Sequence, residues 1–259
     1  MTMDVFHSGF VTFLGRPNAG KSSLLNAIMG KKLAIASSTA QTTRHRFRAI
    51  YTTDSYQMIL VDTPGVHKPH DALGEELNTT ALKSLEGIDV VAFLLDASQP
   101  LGKGDEWVLN QIKTLRIPKI LVINKIDLVD ADTIAEQRTR AQEYIDWDGE
   151  VALSAKEHDG IDEFLSLVAQ FLPEGPLWFP ADAETDQPIE VLIAEFIREK
   201  VLYNAYDEVP HAVGVVVDDM TYNRRKDLES IFATIYVERD SQKGIIIGKG
   251  GSCIKEIGS

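Results

Sequence analysis

Residues 15–22 read Gly-Arg-Pro-Asn-Ala-Gly-Lys-Ser. A glycine, four residues, a second glycine, then a lysine and a hydroxyl make a phosphate cradle when a strand leads in and a helix leads out. Here FVTFL precedes the run and SSLLNAIM follows it. Gly15 and Gly20 let the backbone turn so that amide N–H groups line a concave anion site, and the helix N-terminus adds its dipole. The site takes in Gly15, Asn18, Ala19, Gly20, Lys21, Ser22 and Ser23. Lys21 sets a charge against the terminal phosphates, and the Ser22 hydroxyl is placed to ligate magnesium.

Asp62-Thr-Pro-Gly65 ends the apolar run QMILV. A carboxylate at the end of a strand beside the cradle is expected to hold the magnesium shell through water. Gly65 has no side chain to keep its N–H from a terminal phosphate. Between cradle and carboxylate lies SSTAQTTRHR, polar and without helical period. A hydroxyl from it, Thr43 above all, would complete the magnesium shell only when the terminal phosphate is present, which is an order–disorder switch. Lys21, Thr43 and Gly65 are the expected catalytic set, to which a family resemblance carried by the motifs together adds Asn18.

Asn124-Lys125-Ile126-Asp127 follows the apolar run PKILVI. An aspartate accepts two hydrogen bonds from the ring N–H and exocyclic amine of guanine. Adenine has no such donor pair, and a site left with unpaired polar groups rejects it strongly. Lys125 packs its stem along the base. Ser154-Ala155-Lys156, after the short strand VAL, offers a backbone N–H to the guanine oxygen.

A third constellation lies near the end of the chain, Gly248-Lys249-Gly250-Gly251, with Lys243, Lys249 and Lys255 facing only Glu256 after position 240. With a helix, two strands and a helix leading into it, the loop resembles the G-x-x-G loop of K homology domains, where glycines let an RNA backbone approach closely. The expected RNA contacts are Lys243, Ile247, Gly248, Lys249, Gly250 and Gly251.

These residues need a frame. From Gly9 to Leu172, β-branched runs (10–14, 56–61, 90–95, 120–123, 151–153) alternate with stretches of helical period (21–29, 73–85, 105–115, 134–145, 161–171). Strands alternating with helices predict an α/β domain, a mainly parallel sheet covered on both faces. Residues 46–51 and 56–61 are separated only by TTDS, so one edge pair is expected to be an antiparallel hairpin. The domain is assigned to 7–173. LPEGPLWFPADAETDQP has four prolines and no period, and 174–188 is read as a linker. A second, α+β unit fills 189–259. Its helix starts at Ile189 with Leu192, Ile193, Phe196, Ile197 and Val201 on one face. Strands over 212–217 and 230–237 follow, joined by a polar connection, and then a helix running into the glycine loop.

The 259 residues carry 26 basic and 39 acidic side chains, a net charge of −13. A wholly basic nucleic-acid coat is excluded, so any nucleic-acid site is a local patch. One cysteine, Cys253, excludes a disulfide framework and suits a reducing compartment. The six histidines do not cluster with cysteine at metal-ligand spacing. His67 and His70 read as exposed, Trp178 and Phe179 as packing one domain on the other, and Cys253 as a packed side chain. Apolar runs fall far short of the ~20 residues that span a bilayer, and the first residues have no signal core. A cytoplasmic protein is expected.

The four nucleotide motifs, in this order, resemble the guanine-nucleotide-binding domain of translation-factor-type GTPases. GRPNAGKS, QTTRHR, DTPGVHKP, NKID and SAK, followed by VERDSQKGIIIGKGG, narrow the resemblance to the Era GTPases, the ribosome-assembly members of the TrmE-Era-EngA type. It covers nearly the whole chain. It implies GTP and GDP as ligands with magnesium, and a type II K homology (KH) domain after the GTPase. It further implies binding to the 3′ end of small-subunit ribosomal RNA, a role in maturing that ribosomal subunit, and a monomer with peripheral contact at the inner membrane. Val66 stands where Ras-like enzymes carry the glutamine that orients water, so intrinsic hydrolysis is expected to be slow. Some GTPases of this kind recruit potassium through a phosphate-loop asparagine, and Asn18 is the matching residue. The alternatives are a nucleotide-gated RNA scaffold with negligible turnover and a related tRNA-modification GTPase, although the latter carries no KH-like unit. A complete KH domain of this type needs a further helix and strand beyond Ser259, so a C-terminally truncated domain with exposed apolar surface is expected.

Overall fold

The computed structural model describes residues 5–35, 47–62, 85–204 and 213–259. Two compact units divide at Asp186/Gln187.

In the first unit the strands are β1 (His7–Leu14), β2 (Phe47–Thr52), β3 (Tyr56–Asp62), β4 (Val90–Asp96), β5 (Lys119–Asn124) and β6 (Gly149–Leu153). The helices described are α1 (Lys21–Met29), α2 (Lys103–Ile112), α3 (Ala131–Gln142) and α4 (Ile161–Ala169). The sheet order is β2-β3-β1-β4-β5-β6. All neighbours run parallel except β2 and β3, which pair antiparallel from Phe47 opposite Asp62 to Thr52 opposite Gln57. This is the hairpin edge expected from TTDS, and Thr53 closes it by accepting the Tyr56 N–H on its Oγ1 at 3.1 Å. The expected helix over 73–85 lies almost wholly outside the described residues.

The central strands read as unbroken apolar runs because both their faces are covered. Every residue of β4 is buried. On one face Val11, Phe13, Leu24, Leu25 and Phe164 form a core with α1 and α4. On the other, Phe93, Val108, Leu109, Ile112 and Ala141 join α2 and α3 to the sheet. The order reverses around β1, which has β3 on one side and β4 on the other. The loop after β1 therefore opens at a topological switch point, where the carboxyl ends of parallel strands leave a crevice.

The proline-rich stretch expected as a linker is bonded to this sheet as far as Asp186. Gly175 N donates to Phe6 O at 3.1 Å, and Ser8 Oγ donates to Pro176 O at 2.7 Å. Gln57, 0% exposed, grips the middle of the stretch. Its Oε1 accepts Trp178 N at 2.8 Å and Phe179 N at 3.1 Å, and its Nε2 donates to Phe179 O at 3.0 Å. The Trp178 ring lies 6.0 Å from that of Phe10. Farther on, Ile50 N donates to Glu184 O at 2.9 Å, Thr185 Oγ1 to Arg48 O at 2.8 Å, and Arg48 pairs with Asp186 at 3.1 Å. Prolines interrupt any regular ladder, so the strap has no period to read, yet several of its amides and carbonyls find partners one at a time.

The second unit comprises α5 (Ile189–Asn204), β7 (Val213–Asn223), β8 (Leu228–Val237), α6 (Asp240–Ile247) and α7 (Ser252–Ile257). Val201 and Val213 pack with Ile246 and Ile257, and Cys253 lies half-buried against them. The strands are longer than expected. The polar connection is mostly strand, with a bulge between Val217 and Asp219 and a turn only over 224–227. Its side chains face water, so no apolar alternation marks it. Val216, Phe232 and Tyr236 on this hairpin are 48%, 60% and 55% exposed.

Candidate functional site

The loop between β1 and α1 adopts the backbone its glycines permit. Gly15 has φ +148° and Gly20 φ +98°, and Asn18 takes the left-handed region at φ 65°. A Cβ on Gly15 would lie 2.4 Å from Leu94 O. Lys21, the first residue of α1, folds back and donates from Nζ to Gly15 O and Arg16 O, both at 3.1 Å. It is buried, and desolvation brings its pKa from 10.5 down to about 8, against the pull of Asp62. Buried positive charge beside a ring of loop amides is the electrostatics an oxyanion needs.

Ser22 Oγ donates to Asp62 Oδ2 at 3.0 Å, so hydroxyl and carboxylate, both expected at magnesium, stand side by side at the ends of α1 and β3. Two hard oxygen donors beside a phosphate cradle fit this ion. Thr43 and Gly65, expected to join them, lie outside the described residues, as do Val66, His67 and His70.

Asn124 ends β5 and links three loops. Its Nδ2 donates to Ala19 O in the phosphate loop at 2.9 Å, and its Oδ1 accepts Lys125 N at 2.8 Å and Ala155 N at 3.1 Å. Asp127 Oδ1 accepts Ser154 Oγ at 2.6 Å, and Ser154 Oγ in turn accepts Glu157 N at 3.1 Å. Lys156 is exposed beside Glu157 at 2.7 Å. The carboxyl ends of β1, β3 and β5 and the loop after β6 thus bring Gly15–Ser23, Asp62, Asn124, Lys125, Asp127 and Ser154–Lys156 to one edge of the sheet.

Two neighbours of this edge lie outside the expected set. Asp96, the last residue of β4, accepts from Lys125 Nζ at 2.6 Å. Burial alone would raise its pKa, but the bonds from Lys125 and Ser98 hold it below the ordinary carboxylate range. Arg16 in the phosphate loop pairs at 3.4 Å with buried Asp105, which also accepts Gly102 N at 3.0 Å and so caps α2. The available signal for Asp96 was a charge ending an apolar strand, VVAFLLD. Asp105 shares the first turn of α2 with Glu106, and nothing in the sequence sets it apart.

In the second unit the glycine loop joins two helices. Gly248, Gly250 and Gly251 have φ of 71°, 64° and 81°. A Cβ on Gly248 would lie 2.7 Å from Cys253 N. Lys243, Ile247, Lys249 and Gly250 are exposed around the loop, with Gly248 and Gly251 half-buried. Helix, tight glycine turn and second helix leave Lys249 and Gly250 exposed where a phosphodiester could approach closely.

Residues 10–125 match a family model described as a 50S ribosome-binding GTPase, and residues 208–259 match a KH domain. The chain is similar, at 36% identity and a TM-score of 0.91, to Era solved with MgGDPNP and nucleotides 1506–1542 of 16S ribosomal RNA. The match covers 98% of this chain and 86% of that one. An Aquifex aeolicus Era variant bound to GDP·AlF4⁻ matches with the same identity, coverage and TM-score. A bacterial selenocysteine-specific elongation factor, at 16% identity and a TM-score of 0.52 over 65% of this chain and 29% of its own, shares the fold.

Proposed function

This chain belongs to the Era family of GTPases, and from that membership we propose a GTP-hydrolysing switch that binds the 3′ end of small-subunit ribosomal RNA and assists assembly of that subunit. The observation that carries the reading is Asn124, which ties the phosphate loop at Ala19 to the base-reading loops at Lys125 and Ala155. Phosphate and base are then recognised by one hydrogen-bonded unit, and the same chain carries a glycine loop suited to RNA.

In this reading the labour divides among the motifs. Amides of Gly15–Ser23 cradle the phosphates and Lys21 supplies the charge. Ser22 and Asp62 would hold magnesium, and Thr43 would join them when the γ-phosphate is present. Magnesium, when bound, neutralises charge on the phosphate oxygens. Asp127 accepts from guanine, braced by Ser154. Asn18 would hold potassium, which would supply the positive charge that an arginine finger supplies in other GTPases. Val66 has no polar atom to orient water, so unaided hydrolysis is slow. Lys243, Ile247 and the loop Gly248–Gly251 contact single-stranded RNA. No helix among the described residues is long and apolar enough to cross a membrane. The protein acts in the cytoplasm as a monomer and touches the inner membrane only at its surface.

The test is multiple-turnover GTP hydrolysis in potassium and in sodium buffer, with and without RNA carrying the 3′ end of the small-subunit ribosomal RNA. Faster turnover in potassium, lost in Asn18→Ala, and stimulation by RNA are expected. Equal rates in both salts with Asn18→Ala unchanged would remove potassium. Binding without turnover in every arm would favour the nucleotide-gated scaffold, which Val66 also suits.

A further inference from the structure

Asn124 and Asp127 are held by partners within the nucleotide motifs. Lys125 is anchored outside them, to Asp96 at the end of β4. Lys125 Nζ donates to Asp96 Oδ2 at 2.6 Å. The other oxygen, Oδ1, accepts Ser98 N at 3.0 Å and Ser98 Oγ at 2.6 Å. Asp96 lies opposite Asn124 in the β4–β5 register and is 5% exposed. Ala97 N donates to Asn124 O at 2.9 Å, so the two strand ends are fastened beside the base-reading loop.

The two carboxylate oxygens do separate work. Oδ1 closes the turn after β4, a local task that asparagine performs equally well. Oδ2 has no part in that turn. It takes the ammonium of a side chain 29 positions away. Lys125 also sits in the left-handed backbone region at φ 66°, where a side chain with a Cβ is strained. A long flexible stem on a strained backbone has many conformations to lose before it can lie flat against a ring. A charge-assisted bond at its tip removes them in advance, and removal before binding is what raises affinity.

We propose that Asp96, seated by Ser98, is a positioning residue for guanine-nucleotide binding: it pins the Lys125 ammonium at the end of β4 so that the methylene stem, and not the charge, meets the base. This rests on the placement of Asn124–Asp127 at guanine. Asp96 touches no nucleotide atom in this role, and its whole effect passes through Lys125.

That last condition makes the proposal testable with the full chain. Dissociation of a ribose-labelled fluorescent GDP is followed for the wild type, Asp96→Asn, Lys125→Ala and the double variant. Asp96→Asn keeps an oxygen for Ser98 and replaces Oδ2 by a group that cannot accept. Freeing the lysine stem that this bond orders before binding is expected to speed release about tenfold. Because the base is common to both nucleotides, a non-hydrolysable GTP analogue should show the same factor. On the Lys125→Ala background the Asp96→Asn change should add nothing, an outcome that a merely structural role would not produce. Ser98→Ala, which leaves Oδ2 in place, should speed release less than Asp96→Asn. Release at the wild-type rate from Asp96→Asn, or an undiminished effect on top of Lys125→Ala, overturns the proposal. A wild-type chain that failed to retain labelled GDP would overturn the guanine-binding reading itself, and this one with it.

Discussion

A Cβ placed on Gly20 would lie 2.1 Å from Asn124 Nδ2. The residue that admits the phosphates and the residue that joins them to the base therefore share one space, and only a hydrogen at Gly20 leaves room for both.

Gly20→Ala is expected to lose nucleotide binding by at least about 100-fold, equivalent to ~2.8 kcal/mol. The methyl group meets Asn124 head-on, and φ +98° is a conformation that alanine strongly resists. Titration with labelled GDP measures the effect. Binding within a few-fold of the wild type would mean that Asn124 moves aside freely, and that its bond to Ala19 is dispensable.

Lys21 gives a pH prediction with two opposite signs. Its folded pKa of about 8 lies below the ordinary 10.5. Between those values the unfolded chain holds a proton that the folded one has released, so this group makes unfolding harder as pH rises from 8 to 10.5. Nucleotide binding needs the charged form, so affinity falls as pH rises, by about tenfold at pH 9 relative to pH 7. Urea unfolding and GDP titration across that range separate the two effects. Affinity that stays flat to pH 9 would show that Lys21 keeps its proton throughout.

Gln57→Ala removes three bonds to the strap. It leaves the amides of Trp178 and Phe179 to water, at a cost of about 1 kcal/mol for each lost bond. A lower urea midpoint is expected, together with easier proteolysis between Glu174 and Asp186 and unchanged GDP affinity. Unchanged proteolysis would mean that the contacts at Arg48 and Ile50 hold the strap unaided.

How far these relations could be read in advance depended on distance along the chain. The phosphate loop and NKID declare themselves because close approach to a ligand demands particular residue types at fixed spacing. The β2–β3 hairpin was legible from its four-residue turn. Asp96 and Lys125 are 29 positions apart, and Gln57 and Trp178 are 121 apart. Nothing local marks such pairs until the sheet brings them together. Gln57 also stands in the apolar run of β3, where one polar residue reads as an interruption. β7 runs past the expected end at 217 because most of residues 218–223 face water, so hydrophobic alternation, the usual sign of a strand, is missing there.

The strap also decides where this protein is best divided. β2 is the outermost strand of the large sheet, and Glu184 and Thr185 occupy part of its open side. A fragment ending after the last helix of the first unit, near Pro173, would strip that cover and bare unpaired N–H and C=O groups to other molecules. It would also take from Gln57 its bonds to Trp178 and Phe179. A fragment carried to Asp186 keeps its edge guarded, and should stay dispersed in solution where the shorter one self-associates.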